Sequence, residues 1–260
     1  MPAASSQPGQ LDPTPLVPAS RIPAIEYHDS EYGGGQVQMT TPWFMAQLQW
    51  LSDNGFKTLT NAEMIDFATG QDRPPQKSCF LRFDLGVPVL KNFREVIVPA
   101  LQKFAFHATF FVLTSAIKDT SKDNSICWSN LKEWEQSGSV EVGSHGVYHP
   151  DYRKAGTPSR LWDLGTSKRT IESKLGHAIS FFAFPYDSVP NHPDILLKLF
   201  GYKLGFAGYR LERSVHFKDA DAFSLPCYYP YSNKKIYPFL TSTNKQSFEQ
   251  MITAAIALPG

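Results

Sequence analysis

The feature that most constrains the fold is a regular exchange between short apolar runs and longer stretches of helical periodicity. "IPAIEYH" (22–28), "SCFLRFD" (78–84), "ATFFVL" (108–113), "VEVGSH" (140–145), "ISFFAFP" (179–185) and "KLGFAG" (203–208) have the length and patterning of strands. Helical patterns lie between and after them, over 41–55, 89–104, 128–137, 158–175, 192–200 and 245–257. The first of these reads as a helix with Thr41 as its N-cap and Gly55 as its stop. Strand and helix alternating at this spacing predict a parallel sheet with crossover helices. Six strands without an interruption predict a (β/α) barrel in preference to an open sheet. A chain of 260 residues suffices for one such barrel, and neither a repeat nor a second domain is visible. The expectation is an α/β fold with one domain over 22–260, preceded by a Pro-, Ser- and Ala-rich disordered leader over 1–21.

Charge and composition exclude several classes of function. With 25 basic and 24 acidic side chains there is no electrostatic footprint for nucleic acid or an anionic membrane surface. No apolar run approaches the roughly 18 residues needed to span a bilayer. The N-terminal stretch lacks the basic and apolar regions of a signal peptide. Leaders of its composition often follow a removed signal or lipid anchor, so the expected location is extracytoplasmic: secreted, periplasmic or at the cell surface. Cys79, Cys127 and Cys227 show no paired spacing, which argues against a disulfide framework. The 19 Phe and 11 Tyr can fill a core, and their faces also suit sugar rings.

In barrels and open α/β sheets, chemistry gathers at the carboxyl ends of the strands. The polar residues that end these strands are Tyr27, His28 and Asp29; Asp84; His145 and His149; and Pro185, Tyr186 and Asp187. His145 and His149 are four apart, which on a helical turn puts both imidazoles on one face, able to grip one divalent cation. Two imidazoles leave such an ion under-coordinated, and a carboxylate is the expected third ligand. Asp84 is open to two functional readings, as that ligand or as the base that deprotonates a metal-bound water. A structural alternative is that it caps the helix beginning near Pro88.

"LRFDLG" (81–86), "SHGVYHPD" (144–151) and "FFAFPYDS" (181–188), in this order, resemble the NodB-type polysaccharide deacetylases, carbohydrate esterase family 4. "IEYHDS" (25–30) followed by a helix and "GFKTLT" (55–60) resembles the branch that deacetylates poly-β-1,6-N-acetylglucosamine, and "PALQKFAFHATFFVLTSAI" (99–117) is also similar to the family. The resemblance implies a distorted (β/α) barrel and metal-dependent hydrolysis of acetyl groups, cutting carbon–nitrogen amide bonds other than peptides, on a saccharide substrate. It implies Asp84 as catalytic base, His145 and His149 as metal ligands, and zinc as the usual cation. Tyr186 would line the groove and help hold the developing oxyanion through its backbone N–H. Tyr27, His28 and Pro185 would contact substrate, His28 having the alternative of orienting Asp84.

Three departures accompany the resemblance. The family's metal-binding aspartate falls on Leu85, whose side chain has no lone pair to donate. The threonine of that motif is Arg82, and strand alternation puts it on the same face as Asp84. The C-terminal motif carrying the family's general-acid histidine is not recognisable, and His177, His192 and His216 match no motif. Two expectations follow. One is a hydrolase of N- or O-acetylated saccharides with an altered metal site, completed by Asp29, Glu31, Asp187 or water. The other is an inactive barrel that keeps the saccharide groove and serves as a binding or scaffolding protein.

Overall fold

A computed structural model describes residues 17–29, 33–34, 37–86, 90–120, 124–208, 214–230 and 248–257. From the N-terminus the chain forms β1 (Arg21–Tyr27), a small hairpin of β2 (Gly33–Gly34) and β3 (Val37–Gln38), α1 (Thr41–Asp53), β4 (Lys57–Thr58) and α2 (Asn61–Thr69). Then follow β5 (Ser78–Leu85), α3 (Leu90–Asn92), a π-helical turn (Phe93–Ile97), α4 (Val98–Lys103), β6 (Ala108–Val112), α5 (Trp128–Gln136) and β7 (Val140–Ser144). The last third holds α6 (Thr157–Leu175), β8 (Phe181–Ala183), a 3-10 turn (Pro185–Asp187), α7 (Pro193–Leu199), β9 (Leu204–Phe206), β10 (Ser214–His216) and α8 (Phe248–Ala257). Local chemistry sets several boundaries. In α2, Thr60 and Glu63 form a complete capping box, and Gly70 ends the helix at φ 81°, a left-handed conformation that favours glycine. The N-cap of α1 is Thr40, with Thr41 already helical, and Pro42 suits the first turn, where its missing N–H has no partner to lose.

The main sheet has the spatial order β10-β1-β5-β6-β7-β8-β9, with β4 added beside the start of β5. All its pairings are parallel except that of β1 with β10. It is a curled α/β sheet with helices outside, as expected of a distorted barrel. Closure comes from a segment that is not a regular strand. Leu225 bridges Phe206 of β9, and Tyr228 bridges Ile25 of β1, both in parallel sense. Backbone bonds Leu225 N→Gly205 O (2.7 Å), Ala207 N→Leu225 O (2.8 Å), Tyr228 N→Ala24 O (2.6 Å) and Glu26 N→Tyr228 O (2.8 Å) stitch that gap.

Alternation along each strand divides the aromatics between two faces. Phe80, Phe111, Phe181 and Phe206 fill the barrel interior, with Phe80 and Phe206 stacked at 5.2 Å. Phe83 points the other way and packs against Tyr27, Phe44, Phe93 and Phe110 in the helix layer. Gly143 makes room for the interior ring of Phe111, since a Cβ there would lie 2.7 Å from it. The expected sheet and helix order is therefore present, together with β4, α2 and β10, which the sequence reading did not pick out. The packed chain also begins earlier than Ile22: Ala19 is buried and its N–H reaches Pro74 O at 2.7 Å. Residues 1–16 of the expected leader lie outside the described residues. Among the described residues, no helix is long and apolar enough to cross a membrane.

Candidate active site

The inward face of the strands delivers a charged cluster to the carboxyl rim of the barrel. Glu26 comes from β1, Arg82 and Asp84 from β5, and His145 from the end of β7. Arg82 is fully buried, and Glu26, Asp84 and His145 are nearly so. The Arg82 guanidinium forks onto Asp84, Nε donating to Oδ1 at 3.1 Å and Nη2 to Oδ2 at 2.5 Å. The same Nη2 lies 2.8 Å from Glu26 Oε2, which also accepts a hydrogen bond from Cys227 Sγ at 2.8 Å. The cation rests between the Phe111 and Phe206 rings, 5.4 and 5.5 Å from their centroids.

This arrangement separates the two carboxylates electrostatically. Burial pushes both up, because a low-dielectric interior disfavours the charged form. For Glu26 burial wins, and its carboxyl rises well above the usual range despite Arg82. For Asp84 the bidentate guanidinium, helped by His145 and His28, outweighs burial and holds it below the usual range. Asp84 is therefore the ionised partner of Arg82 at neutral pH.

His145 lies on the open side of that carboxylate, Nε2 being 3.9 Å from Asp84 Oδ2. Its Nδ1 faces Ala183 O at 2.9 Å. A carbonyl can only accept, so Nδ1 carries the proton and Nε2 presents a lone pair. Burial lowers His145 and His28 to about 4, and lowers His149 as well, so all three are neutral near pH 7. The His145 and His149 rings meet with centroids 4.8 Å apart, and Tyr186 meets His149 edge to face at 4.2 Å.

The two histidines come together through a loop, in place of the expected helical turn. His149 has φ 60°. Buried Asp163, on α6, pins the loop: Oδ1 accepts from Val147 N at 3.0 Å and Tyr148 N at 3.4 Å, while Oδ2 accepts from Tyr152 Oη at 2.7 Å. Gly146 turns beneath it at φ 91°, where a Cβ would lie 2.3 Å from Asp163 Oδ2. Tyr186 is 70% exposed at φ 56° in the 3-10 turn, with its ring open to solvent beside the histidines. In this turn Pro185 has no N–H and the N–H of Asp187 donates to Phe184 O at 3.0 Å, so the backbone donor the turn can offer is the Tyr186 N–H.

Other expected residues are placed differently. Tyr27 is fully buried on the outer face of β1, where its hydroxyl donates to Gln47 Oε1 at 3.0 Å, so its side chain is unavailable to a substrate. Pro185 is buried as well, leaving Tyr186 to present that turn. His28 does reach the cluster, 3.9 Å from Glu26 Oε1, and is partly exposed. The helix-capping alternative for Asp84 fails, because Asp84 belongs to β5 and Arg82 engages both its oxygens.

The metal that the resemblance implies meets an incomplete set of donors. His145 and His149 offer two nitrogens. Leu85 is 1% exposed within the core and shares the strand face of Phe83, away from Asp84. Asp29 accepts from Asn92 Nδ2 at 3.0 Å. Asp187 is taken by Tyr229 Oη and Gly208 N, and burial raises its carboxyl. Glu31 lies outside the described residues. Among the described residues no group of three or more His, Cys, Asp or Glu is placed to hold a cation. This set does not fit a catalytic site with three protein ligands and a water.

Sequence reasoning missed Glu26, Cys227 and Asp163. Glu26 had a signal, a carboxylate two residues before His28 and so on the same strand face. Cys227 reaches Glu26 across 201 residues, and no local pattern announces such a contact.

Comparison with known proteins places this geometry in context. The family model described as "Polysaccharide deacetylase" matches residues 71–205. The chain is 23% identical over 186 residues to YxkH of Bacillus subtilis, whose name places it among polysaccharide deacetylases; the match covers 72% of this chain and 64% of that protein. In three dimensions it is similar to the Streptococcus pyogenes deacetylase PplD in complex with acetate (TM-score 0.74, 20% identity), over 91% of this chain and 99% of that one. IcaB from Ammonifex degensii superposes with TM-score 0.70 at 21% identity, over 92% and 99% of the two chains. At these identities the structural likenesses establish the fold.

Proposed function

Since the chain belongs to the polysaccharide deacetylase family, we propose that it is a hydrolase that removes acetyl groups from an N-acetylated polysaccharide, with Asp84 as general base. The observation that carries this reading is the pairing of an ionised, Arg82-oriented Asp84 with the bare Nε2 of His145, 3.9 Å apart at the barrel rim. A water within hydrogen-bond reach of both acceptors would donate one proton to each and turn a lone pair outward. Attack on the acetyl carbon passes the water's proton to Asp84. The Tyr186 N–H meets the oxyanion, and as the carbon–nitrogen bond breaks Asp84 returns its proton to the leaving nitrogen, giving acetic acid and the amine, which exchange a proton in water to acetate and an ammonium. Tyr186 would form the groove wall and His28 a polar contact for the sugar.

A divalent cation here would be held by His145 and His149 alone, and each step above is therefore written on the chain's own side chains. We place the substrate, a poly-N-acetylglucosamine or a related acetylated glycan, outside the cytoplasm. The match to the polysaccharide deacetylase family model supports an acetylated polysaccharide as the substrate class.

One observation favours a second reading, a saccharide-binding barrel without turnover. Both Asp84 oxygens are already engaged by Arg82, which weakens the carboxylate as a base. The deciding experiment measures acetate release from N-acetylglucosamine oligomers by the purified chain and its Asp84→Asn variant. Release that Asp84→Asn abolishes supports the hydrolase. Oligomer binding without release supports the second reading.

A further inference from the structure

Two large aromatic side chains stand out beside the histidine loop. Tyr148 is 71% and Trp162 53% exposed, although both belong to residue types that usually bury most of their area. Their rings are nearly parallel, at 10°, with centroids 6.1 Å apart. That separation exceeds the contact distance of rings lying face over face, so the pair is offset and most of each ring faces solvent. Neither ring belongs to the catalytic cluster or to the core, and neither was absorbed by the proposed function.

The position of the pair is fixed relative to the cluster. Tyr148 immediately precedes His149, and Trp162 immediately precedes Asp163. Asp163 accepts from the N–H of Tyr148, so one buried carboxylate holds both rings and the His145–His149 loop in a single frame. Tyr186 presents a third exposed ring, packed edge to face against His149. The exposed rings thus adjoin the histidine loop, Tyr148 as the chain neighbour of His149 and Tyr186 in contact with its ring.

We propose that Tyr148 and Trp162 form a saccharide subsite, stacking the apolar face of a pyranose some units along the chain from the sugar acted on at Asp84. This rests on the deacetylase reading for the class of ligand. An exposed aromatic ring face suits the axial C–H face of a neutral pyranose. The near-neutral balance of charge gives no support to a nucleic acid as the occupant. Because Tyr148 is the chain neighbour of His149, a glycan long enough to occupy both the pair and the rim, and not an isolated monosaccharide, is the fitting ligand.

The test compares binding of N-acetylglucosamine hexamer and dimer to the full chain by titration calorimetry, alongside acetate release. The hexamer is expected to bind more tightly than the dimer. Trp162→Ala and Tyr148→Ala are each expected to weaken hexamer binding about tenfold and to shrink that advantage, while Trp162→Phe retains most of it. Both positions are exposed, so the variants should fold, which circular dichroism checks. Equal hexamer affinity in wild type and Trp162→Ala overturns the subsite, as does absence of hexamer binding to wild type. Self-association that Trp162→Ala abolishes with saccharide affinity unaltered overturns it too. Weakened hexamer binding without any acetate release supports the subsite while sinking the deacetylase reading, so the two failures are distinguishable.

Discussion

Arg82 and Asp84 lie two residues apart on one strand and form a bidentate ion pair, with Nη2 2.5 Å from Oδ2, inside the barrel. Neither partner is appreciably exposed, and Glu26 shares the same guanidinium. The cation therefore fixes the direction of Asp84, holds it ionised and neutralises a charge that the interior would otherwise reject.

Removing the proposed base is the most direct test of the proposed chemistry. Asp84→Asn should lower acetate release by about 10²–10⁴-fold. Circular dichroism should report an unchanged fold, and undiminished turnover would refute the role of Asp84.

Removing the cation should cost stability first. Arg82→Met leaves Glu26 and Asp84 buried without their partner, a class of change that costs about 3–5 kcal/mol. Urea denaturation measures it. A double variant, Arg82→Met with Asp84→Asn, should recover part of the loss, because the carboxylate that Arg82 holds ionised is gone.

Acidification should weaken the fold through two imidazoles that folding desolvates, one buried and one partly exposed. His28 and His145 titrate near 4 in the folded chain and near 6.5 when unfolded, so the unfolded state binds more protons between those values. Their contribution is complete above about pH 6.5 and is lost as pH falls toward 4. Glu26, raised by burial, acts in the opposite sense over part of that window. The clean measurement is the difference in unfolding free energy between wild type and His28→Asn from pH 7 to 4. That difference should shrink on acidification, and a constant difference would show that His28 does not carry the effect.

Restoring the family's aspartate should not restore a metal site. Leu85 belongs to the core on the Phe83 face of β5, so Leu85→Asp buries a carboxylate with no cation beside it. The expected outcome is destabilisation by about 2–4 kcal/mol with no gain in zinc affinity, read by denaturation and zinc titration. Tighter zinc binding in a stable variant would show that position 85 can turn toward the histidines.

Part of this site was legible before any folding was considered. The period of a strand is two, so Arg82 and Asp84 had to share a face, and the carboxyl ends of parallel strands had to gather His28, Asp84, His145 and Tyr186 at one rim. The same period could not say which face of β1 is inward, and Tyr27 proved to be on the helix side while Glu26 took the interior. His145 and His149 do meet, but a loop pinned by Asp163 brings them together, and that residue lies 14 positions beyond His149.

The sequence by itself determined the alternation of strands and helices, the family, and the presence of one carboxylate and two histidines at the rim, because each follows from local periodicity or a contiguous motif. Only the tertiary structure decided that Leu85 is sealed in the core, that Arg82 serves both Glu26 and Asp84, and that residues 225–228 close the barrel. Those outcomes depend on which distant groups compete for the same buried volume and the same charge, and no window along the chain contains both competitors.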